Sequence, residues 1–398
     1  MTDQLRPSAF EADYGFARND VRLGNWRQAP WNVWAFRNVS ELIPTARIAA
    51  TAGLTEDPAV DPGDLLDRTF DIGGETTTIE EAFRKTSTDA LVVMKSGRVI
   101  ADYHAPHFTS QSRHILFSAS KSVTSIVVGI VHGDGLIDLD ATVAHYVPEL
   151  SSSAFSDACL RDVLDMRVSL DFEETYQDPR GDFARYRRAG LLEPPVPGDT
   201  PDSLIAFLAT LQKGAVEHGG PFHYCSPNSD VLGLVIERAT GQRFADFVAT
   251  RLWQPLGLRQ DGYITVDATG AARTGGGFCM TPRDFARIGE MMRLGGVVDG
   301  HRILSADWVS DTITNGSAEA WRAGKFVEWL PAGRYRNKWY QTGNPSRAFF
   351  ALGIHGQYLY VDPAAELVVA KFSSQPEPVN NNLKRLNLAL FDALARLN

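Results

Sequence analysis

A change of hydrophobic period, made twice along the chain, constrains the architecture most. Leu91 to Met94, the turn residues Lys95-Ser96-Gly97 and Arg98 to Tyr103 read as a β-hairpin. After His114 the period becomes helical: Val123, Ile126, Val127, Ile130 and Val131 fall on one face, and Gly133 to Gly135 ends the run. Helical spacing dominates from about Asp140 to Leu258. Within it, Asp199-Thr200-Pro201-Asp202 starts a helix carrying Leu204, Phe207, Leu208 and Leu211. Leu232 to Ala239 is a second, stopped by Gly241, and Phe244 to Leu252 a third. Thr281-Pro282-Arg283-Asp284 is a strong helix start: a capping Thr, Pro at the first position and a carboxylate three residues after the cap. Strands return at Gln357 to Val361 and Leu367 to Phe372, around the turn at Asp362-Pro363, and the chain closes on an amphipathic helix bearing Leu383, Leu386, Leu390, Phe391, Leu394 and Leu397.

Strands and helices at both ends of a helical middle predict one sheet built from both termini. Residues 1–135 and 265–398 would form an α/β sheet domain, and 136–264 a mainly helical insertion. An active site would lie in the cleft between them. The first seventy or so residues, with Trp26, Pro30, Trp31 and Trp34, read as an irregular wrap over that scaffold.

Composition narrows the function classes. With 398 residues, 44% hydrophobic and 22% charged, the chain is ordinary globular protein, neither disordered nor fibrous. A net charge of −9 without a Lys/Arg run lacks the electrostatic footprint of a nucleic-acid binder. Cys159, Cys225 and Cys279 are far apart, in no metal-ligand or C-x-x-C spacing, and are expected to be reduced thiols. The sequence MTDQLRPSAFEADYG has no signal-peptide pattern, and no apolar stretch is long enough to cross a bilayer. The expectation is a cytoplasmic enzyme with no membrane partner, no metal and no organic cofactor, acting on a small molecule, with a homodimer as one possible state.

Three segments carry chemistry. Ser118-Ala119-Ser120-Lys121 stands at the start of the long helix, so Ser118 and Lys121 lie one turn apart on one face. A serine hydroxyl needs a base to become a nucleophile, and a lysine serves only if burial lowers its pKa. The helix N-terminus favours developing negative charge. Phe222-His223-Tyr224-Cys225-Ser226-Pro227-Asn228 offers a phenol for proton transfer, with Ser226 and Asn228 beside it for substrate positioning. Gly353-Ile354-His355-Gly356 leads into a strand, where glycines let the backbone approach a substrate with an N–H aimed at its carbonyl oxygen. Taken singly, each has a bland reading: a polar helix cap with a surface lysine, an aromatic at a helix entrance, a turn before an edge strand. No G-x-S-x-G, G-x-G-x-x-G, G-K-[ST] or H-E-x-x-H motif competes.

Taken together and in this order, the motifs resemble the serine β-lactamase and penicillin-binding superfamily, specifically its class C-like esterase and amidase branch with the nylon-oligomer hydrolases. Trp31 to Phe36, Ser118 to Leu150, Phe222 to Asp230, Thr281 to Met292 and Gly353 to Pro363 carry the resemblance, which runs from about residue 25 to 375. It implies an α+β fold, an antiparallel sheet flanked by helices with an inserted all-α domain. It implies Ser118 as the acylated serine, Lys121 as its base, and Tyr224 as a partner that passes the proton to the leaving group. The backbone N–H groups of Ser118 and Ile354 would form the oxyanion hole. Tyr176, Ser226, Asn228, His355 and Tyr340 would contact substrate, Tyr176 at a scissile amide. The implied activity is hydrolysis of small linear amides, of the 6-aminohexanoate-oligomer kind, or of carboxylic esters.

The sequence departs from the penicillin-recognising pattern at Ser226, where Tyr-x-Asn is usual, and at Ile354-His355-Gly356, where Lys-Thr-Gly is usual. Both changes remove groups that hold a β-lactam carboxylate. Arg180 to Arg188, Gly275-Gly276-Gly277 and Trp339-Tyr340 differ from the nylon-oligomer hydrolases and are expected to line the pocket. The alternatives are a D-alanyl or D-amino-acid peptidase or β-lactamase of the same fold, and a non-catalytic binding protein on the same scaffold.

Overall fold

The computed structural model describes residues 8–55, 58–176, 178–198 and 203–397. Among them, seven strands form one antiparallel sheet: β1 (Thr88–Lys95), β2 (Arg98–His104), β3 (Arg334–Arg336), β4 (Trp339–Gln341), β5 (Phe349–Gly353), β6 (Gln357–Asp362) and β7 (Leu367–Ser373). Their order is β3-β4-β5-β6-β7-β1-β2, so the early hairpin adds to the edge of a late meander. The β1–β2 turn has φ of 48° at Ser96 and 80° at Gly97, the left-handed pair that a two-residue hairpin loop needs to match strand twist.

Period-two alternation divides the sheet into two dry faces. Leu91 and Val93 of β1, with Val369 of β7, pack under Leu390, Phe391 and Leu394 of the C-terminal helix α5 (Asn381–Ala395). Ala90, Val92, Val368 and Ala370 face the opposite way, towards Phe285, Ile288 and Met292 of α4 (Pro282–Arg293). α4 begins as its sequence predicts, with the Thr281 hydroxyl accepting the Asp284 N–H at 3.2 Å. Its Gly289 brings the helix close to the sheet: a Cβ there would stand 2.5 Å from Val368 Cγ1 and 2.8 Å from Leu359 Cδ1.

The helix after the S-x-x-K segment, α1 (Ser120–Gly133), departs from the amphipathic expectation. Every residue from Ser120 to Val131 is buried, so it is a central helix with no solvent face. Its hydroxyls are buried with partners. Ser122 donates to Lys338 O at 2.7 Å, and Thr124 to Thr274 O at 2.9 Å. Hydrophobic spacing cannot separate a one-sided helix from a buried one whose polar residues are short enough to be satisfied internally.

In the helical middle, α2 (Asp182–Ala189) and α3 (Pro227–Thr240) flank α1's surroundings, and α3 stops at Gly241 with φ of 67°. The Leu204–Thr210 helix is capped by Ser203, while Asp199 to Asp202 lie outside the described residues. The Phe244 helix turns into a π-turn over Ala249–Trp253.

A second, four-stranded sheet runs Thr45–Ile48, Gly262–Thr265, Phe278–Met280, His114–Ile115. Its strands are two to four residues long, too short to leave a period in the sequence, and for that reason only one sheet was legible. It delivers the chain to Ser118: Leu116 N–H donates to Phe278 O at 2.8 Å. The N-terminal wrap supports this point from behind, since Trp26, Trp34 and Phe36 are buried with Ile115 and Phe117.

Gly289→Val puts a branched side chain into the α4–sheet contact, where Val368 is itself too stiff to yield. The expected loss of stability is roughly 1–3 kcal/mol from overpacking, read as a lower denaturation midpoint in urea. An unchanged midpoint would show that the contact is looser than the structure gives.

Candidate active site

Ser118 sits in the 3₁₀ turn Phe117–Ala119 that opens directly into α1. The residue before it, Phe117, has φ of 44°, a strained region for a bulky side chain. Its ring is held between Trp26, stacked at 5.9 Å, and Phe36, edge-on at 4.9 Å. β5 ends beside this turn at Gly353, where a Cβ would come 2.2 Å from Leu116 O. Glycine is thus required there so that the strand end, with Ile354 next, can adjoin the serine.

Lys121, one turn along α1, is 1% exposed. Its Nζ donates to Ser118 Oγ at 2.9 Å and to Gly275 O at 2.6 Å. Burial lowers its pKa to about 8, against the pull of the Glu174 and Asp230 carboxylates. Tyr224, in the loop before α3, has its phenol beside Ser118 and Tyr340, and Lys121 Nζ lies 5.2 Å from its ring centre. Burial and the Glu174 charge push the Tyr224 phenol upwards. The pair therefore divides: an amine that can be neutral near pH 8, and a phenol that keeps its proton.

Tyr224 faces a cleft of about 400 Å³ that Ser118, Glu174, Tyr176, Tyr340 and Ile354 also line, while Lys121 lies behind Ser118. Tyr176 O–H donates to Glu174 Oε2 at 3.2 Å, which leaves the phenol oxygen's lone pairs able to accept. Among the described residues no three His, Cys, Asp or Glu side chains gather as a metal-binding set.

The β-lactamase family model matches residues 77–393. The chain is 38% identical over 364 residues to the 6-aminohexanoate-dimer hydrolase of Paenarthrobacter ureafaciens, covering 92% of this chain and 91% of that one. The chain belongs to the β-lactamase family. A Bacillus anthracis structure provisionally named 6-aminohexanoate-dimer hydrolase superposes with a TM-score of 0.86 at 25% identity, over 95% of this chain and 97% of that one. A D-stereospecific amidohydrolase from Streptomyces shares the fold, with a TM-score of 0.58 at 16% identity over 79% of this chain and 98% of the other.

Within this β-lactamase-type cleft the structure corrects part of the sequence expectation. His355 does not reach the cleft: its ring is buried against Phe36 and Phe117, and Nδ1 bonds Gln375 O at 2.6 Å. Asn228 is fully buried with Nδ2 on Met166 Sδ, and Ser226 is buried with its backbone N–H bonded to Glu174. Each of the three lies next to a residue that matters, and chain direction turns their own side chains away. The three divergent segments are likewise mostly behind the wall. Arg187 pairs with Glu193 at 2.8 Å, Gly275 backs Lys121, and Trp339 packs inward on Phe349 at 5.3 Å. Only Tyr340 of these lines the cleft.

Several residues of the site were not singled out from sequence. Glu174 joins Tyr176, Ser226 and the Lys121 field, and its signal was an acidic pair just before Tyr176. Asp230 accepts the Gly275 N–H at 2.6 Å and the Tyr186 hydroxyl, with Arg273 Nε 3.8 Å away. It thereby holds the carbonyl that receives Lys121. Phe222, Phe326 and Trp329 give the cleft an aromatic wall, Phe326 stacking on Tyr224 at 5.3 Å.

Removing the buried Asp230 carboxylate leaves Arg273 uncompensated and frees Gly275. Asp230→Ala is expected to lose about 3–5 kcal/mol, the usual cost of breaking a buried pair from one side, by chemical denaturation. A loss below about 1 kcal/mol would show that Asp230 is dispensable to this scaffold.

Proposed function

We propose that the protein is a serine hydrolase that cleaves small linear amides, of the 6-aminohexanoate-oligomer kind, and carboxylic esters through an acyl-enzyme on Ser118. The observation that carries this reading is the buried Lys121 amine 2.9 Å from Ser118 Oγ, held at a pKa of about 8. At pH 7 roughly a tenth of such lysines are neutral, a sufficient fraction for a general base.

Neutral Lys121 takes the Ser118 proton as Oγ bonds to the substrate carbonyl carbon. The carbonyl oxygen becomes an oxyanion held by the backbone N–H groups of Ser118 and Ile354. Collapse breaks the C–N or C–O bond. Tyr224, still carrying its proton, gives it to the leaving nitrogen or oxygen and is reprotonated from the Lys121 ammonium. Water then attacks the acyl carbon, with Lys121 and Tyr224 moving its proton to Ser118 Oγ. An amide nitrogen whose lone pair turns towards Tyr224 presents its N–H elsewhere in the cleft, where the Tyr176 oxygen would accept it.

A relative's name supports linear amides as the substrate class, since the protein 38% identical to this chain is called a 6-aminohexanoate-dimer hydrolase. A peptidase or β-lactamase of the same fold is the rival, and stoichiometric acylation by penicillin would favour it. Among the described residues no helix is long and apolar enough to cross a membrane. All three cysteines are unpaired thiols, which supports the cytoplasm as the place of action.

Ser118→Ala is expected to abolish hydrolysis of p-nitrophenyl esters while costing only about 1 kcal/mol of stability, the net worth of one hydrogen bond. Mass spectrometry of the wild type with a slow substrate places the adduct on the Ser118 peptide; an adduct on another serine, or wild-type turnover in the variant, overturns the reading. Because Lys121 must lose its proton to act, kcat/KM for a neutral ester rises with pH and levels off above about 8. Lys121→Arg keeps the charge but cannot deprotonate, so it falls more than about tenfold, ~1.4 kcal/mol in barrier. A smaller loss makes Lys121 a charge partner only.

A further inference from the structure

One wall of the cleft holds a cation that the proposed cycle does not use. Lys384 lies in the first turn of α5 and lines the same cavity as Ser118. Its Nζ stands 4.7 Å over the Trp329 ring and 5.7 Å over Phe326, and donates to Asn381 Oδ1 at 3.2 Å. Among the described residues no carboxylate lies within ion-pair distance of it. The cavity's acidic groups are otherwise engaged or exposed. Glu173 pairs with Lys325 at 2.7 Å, Glu174 bonds Tyr176 and Ser226, and Glu328 is solvent-exposed.

This position breaks the local rules for a lysine. The positive end of a helix disfavours a cation in its first turn, and burial lowers the Lys384 pKa to about 8. Even so, most of it stays protonated at neutral pH. Aromatic faces recover part of that cost, but they leave the ammonium's positive field directed at the cavity with no resident anion. Elements that violate local preference without internal compensation are where sites are found.

We propose that Lys384 is the subsite for a carboxylate carried at the far end of a linear substrate from its scissile carbonyl. The aromatic wall of Phe326 and Trp329 would seat the intervening methylene chain. This deepens the reading of Ser118 as nucleophile and rests on it: the substrate class narrows from linear amides and esters to those bearing a terminal carboxylate.

The test uses two matched substrate pairs. In one, mono-p-nitrophenyl adipate is compared with its methyl-capped neutral ester, which places the carboxylate on the acyl side. In the other, N-acetyl-6-aminohexanoate is compared with its carboxamide, which places it on the leaving side. For wild type, Lys384→Met and Lys384→Arg, the ratio of kcat/KM for the anionic over the neutral member is measured. In at least one pair the ratio is expected to fall about tenfold in Lys384→Met, through KM rather than kcat, and to recover in Lys384→Arg. Ratios unchanged by Lys384→Met in both pairs overturn the subsite, as does a fall in kcat alone. Ser118→Ala separates the two levels. If that variant still hydrolyses the neutral adipate ester, the underlying reading has failed; if it does not and the ratios are flat, only the carboxylate subsite has.

Discussion

The amine of Lys121, withdrawn from water beneath Ser118, is the constraint around which this structure is arranged. Moving its pKa from 10.5 to about 8 corresponds to roughly 3 kcal/mol of differential stabilisation of the neutral form. That value is a balance. Complete burial drives it down, Glu174 and Asp230 pull it up, and Arg273 adds to the lowering. Loss of the carboxylates would lower it further, and less burial would return it towards the ordinary ammonium. The central position of α1, with no solvent face, secures the burial, and the Gly275 carbonyl fixes where the amine points.

Holding that carbonyl requires a chain of buried groups with no solvent contact. Tyr186 and Gly275 N–H both give hydrogen bonds to Asp230, and Arg273 lies over the Tyr186 ring at 4.8 Å. Such a network is rigid because every member loses a charged or polar partner if one moves. On the opposite side of Ser118, the strained Phe117 turn and the Gly353 contact bring two backbones together. The N-terminal wrap, far away in sequence, holds Phe117 in place through Trp26 and Phe36. The Lys121 amine and the adjoining Ser118 and Ile354 backbones thus depend on different supports, one polar and one aromatic, which meet at the serine.

The substrate side of the cleft is built differently, from aromatic rings of separate segments. Phe326 stacks on Tyr224, and Tyr340 stacks on Phe350 at 5.2 Å. Lysine at position 338, buried and donating to Val163 O at 2.5 Å, takes no part in lining the cleft. The residues at which this chain departs from the penicillin-recognising pattern, Ser226 and His355, serve the frame behind the site. Lys384 lines the same cleft, beside the Trp329 and Phe326 rings.

Sequence by itself located the longer strands and helices and the Ser118–Lys121 pair. Short apolar β-branched runs at Leu91–Met94 and Leu367–Phe372, the Thr281-Pro282 start and the Gly241 stop are local signals, because strand propensity, capping and left-handed φ are properties of a few adjacent residues. Ser118 and Lys121 were legible for the same reason, being one helical turn apart. Tertiary structure alone decided that α1 is buried all round, that a second sheet of very short strands delivers Ser118, and that Asp230 orients Gly275 forty-five residues away. It also decided which neighbours of a motif face the substrate. His355, Ser226 and Asn228 share their motifs with Ile354 and Tyr224, yet only the latter two open on the cleft. Side-chain direction at a strand end or helix entrance depends on what packs behind the backbone, and those partners, Phe36, Glu174 and Met166, come from elsewhere in the chain.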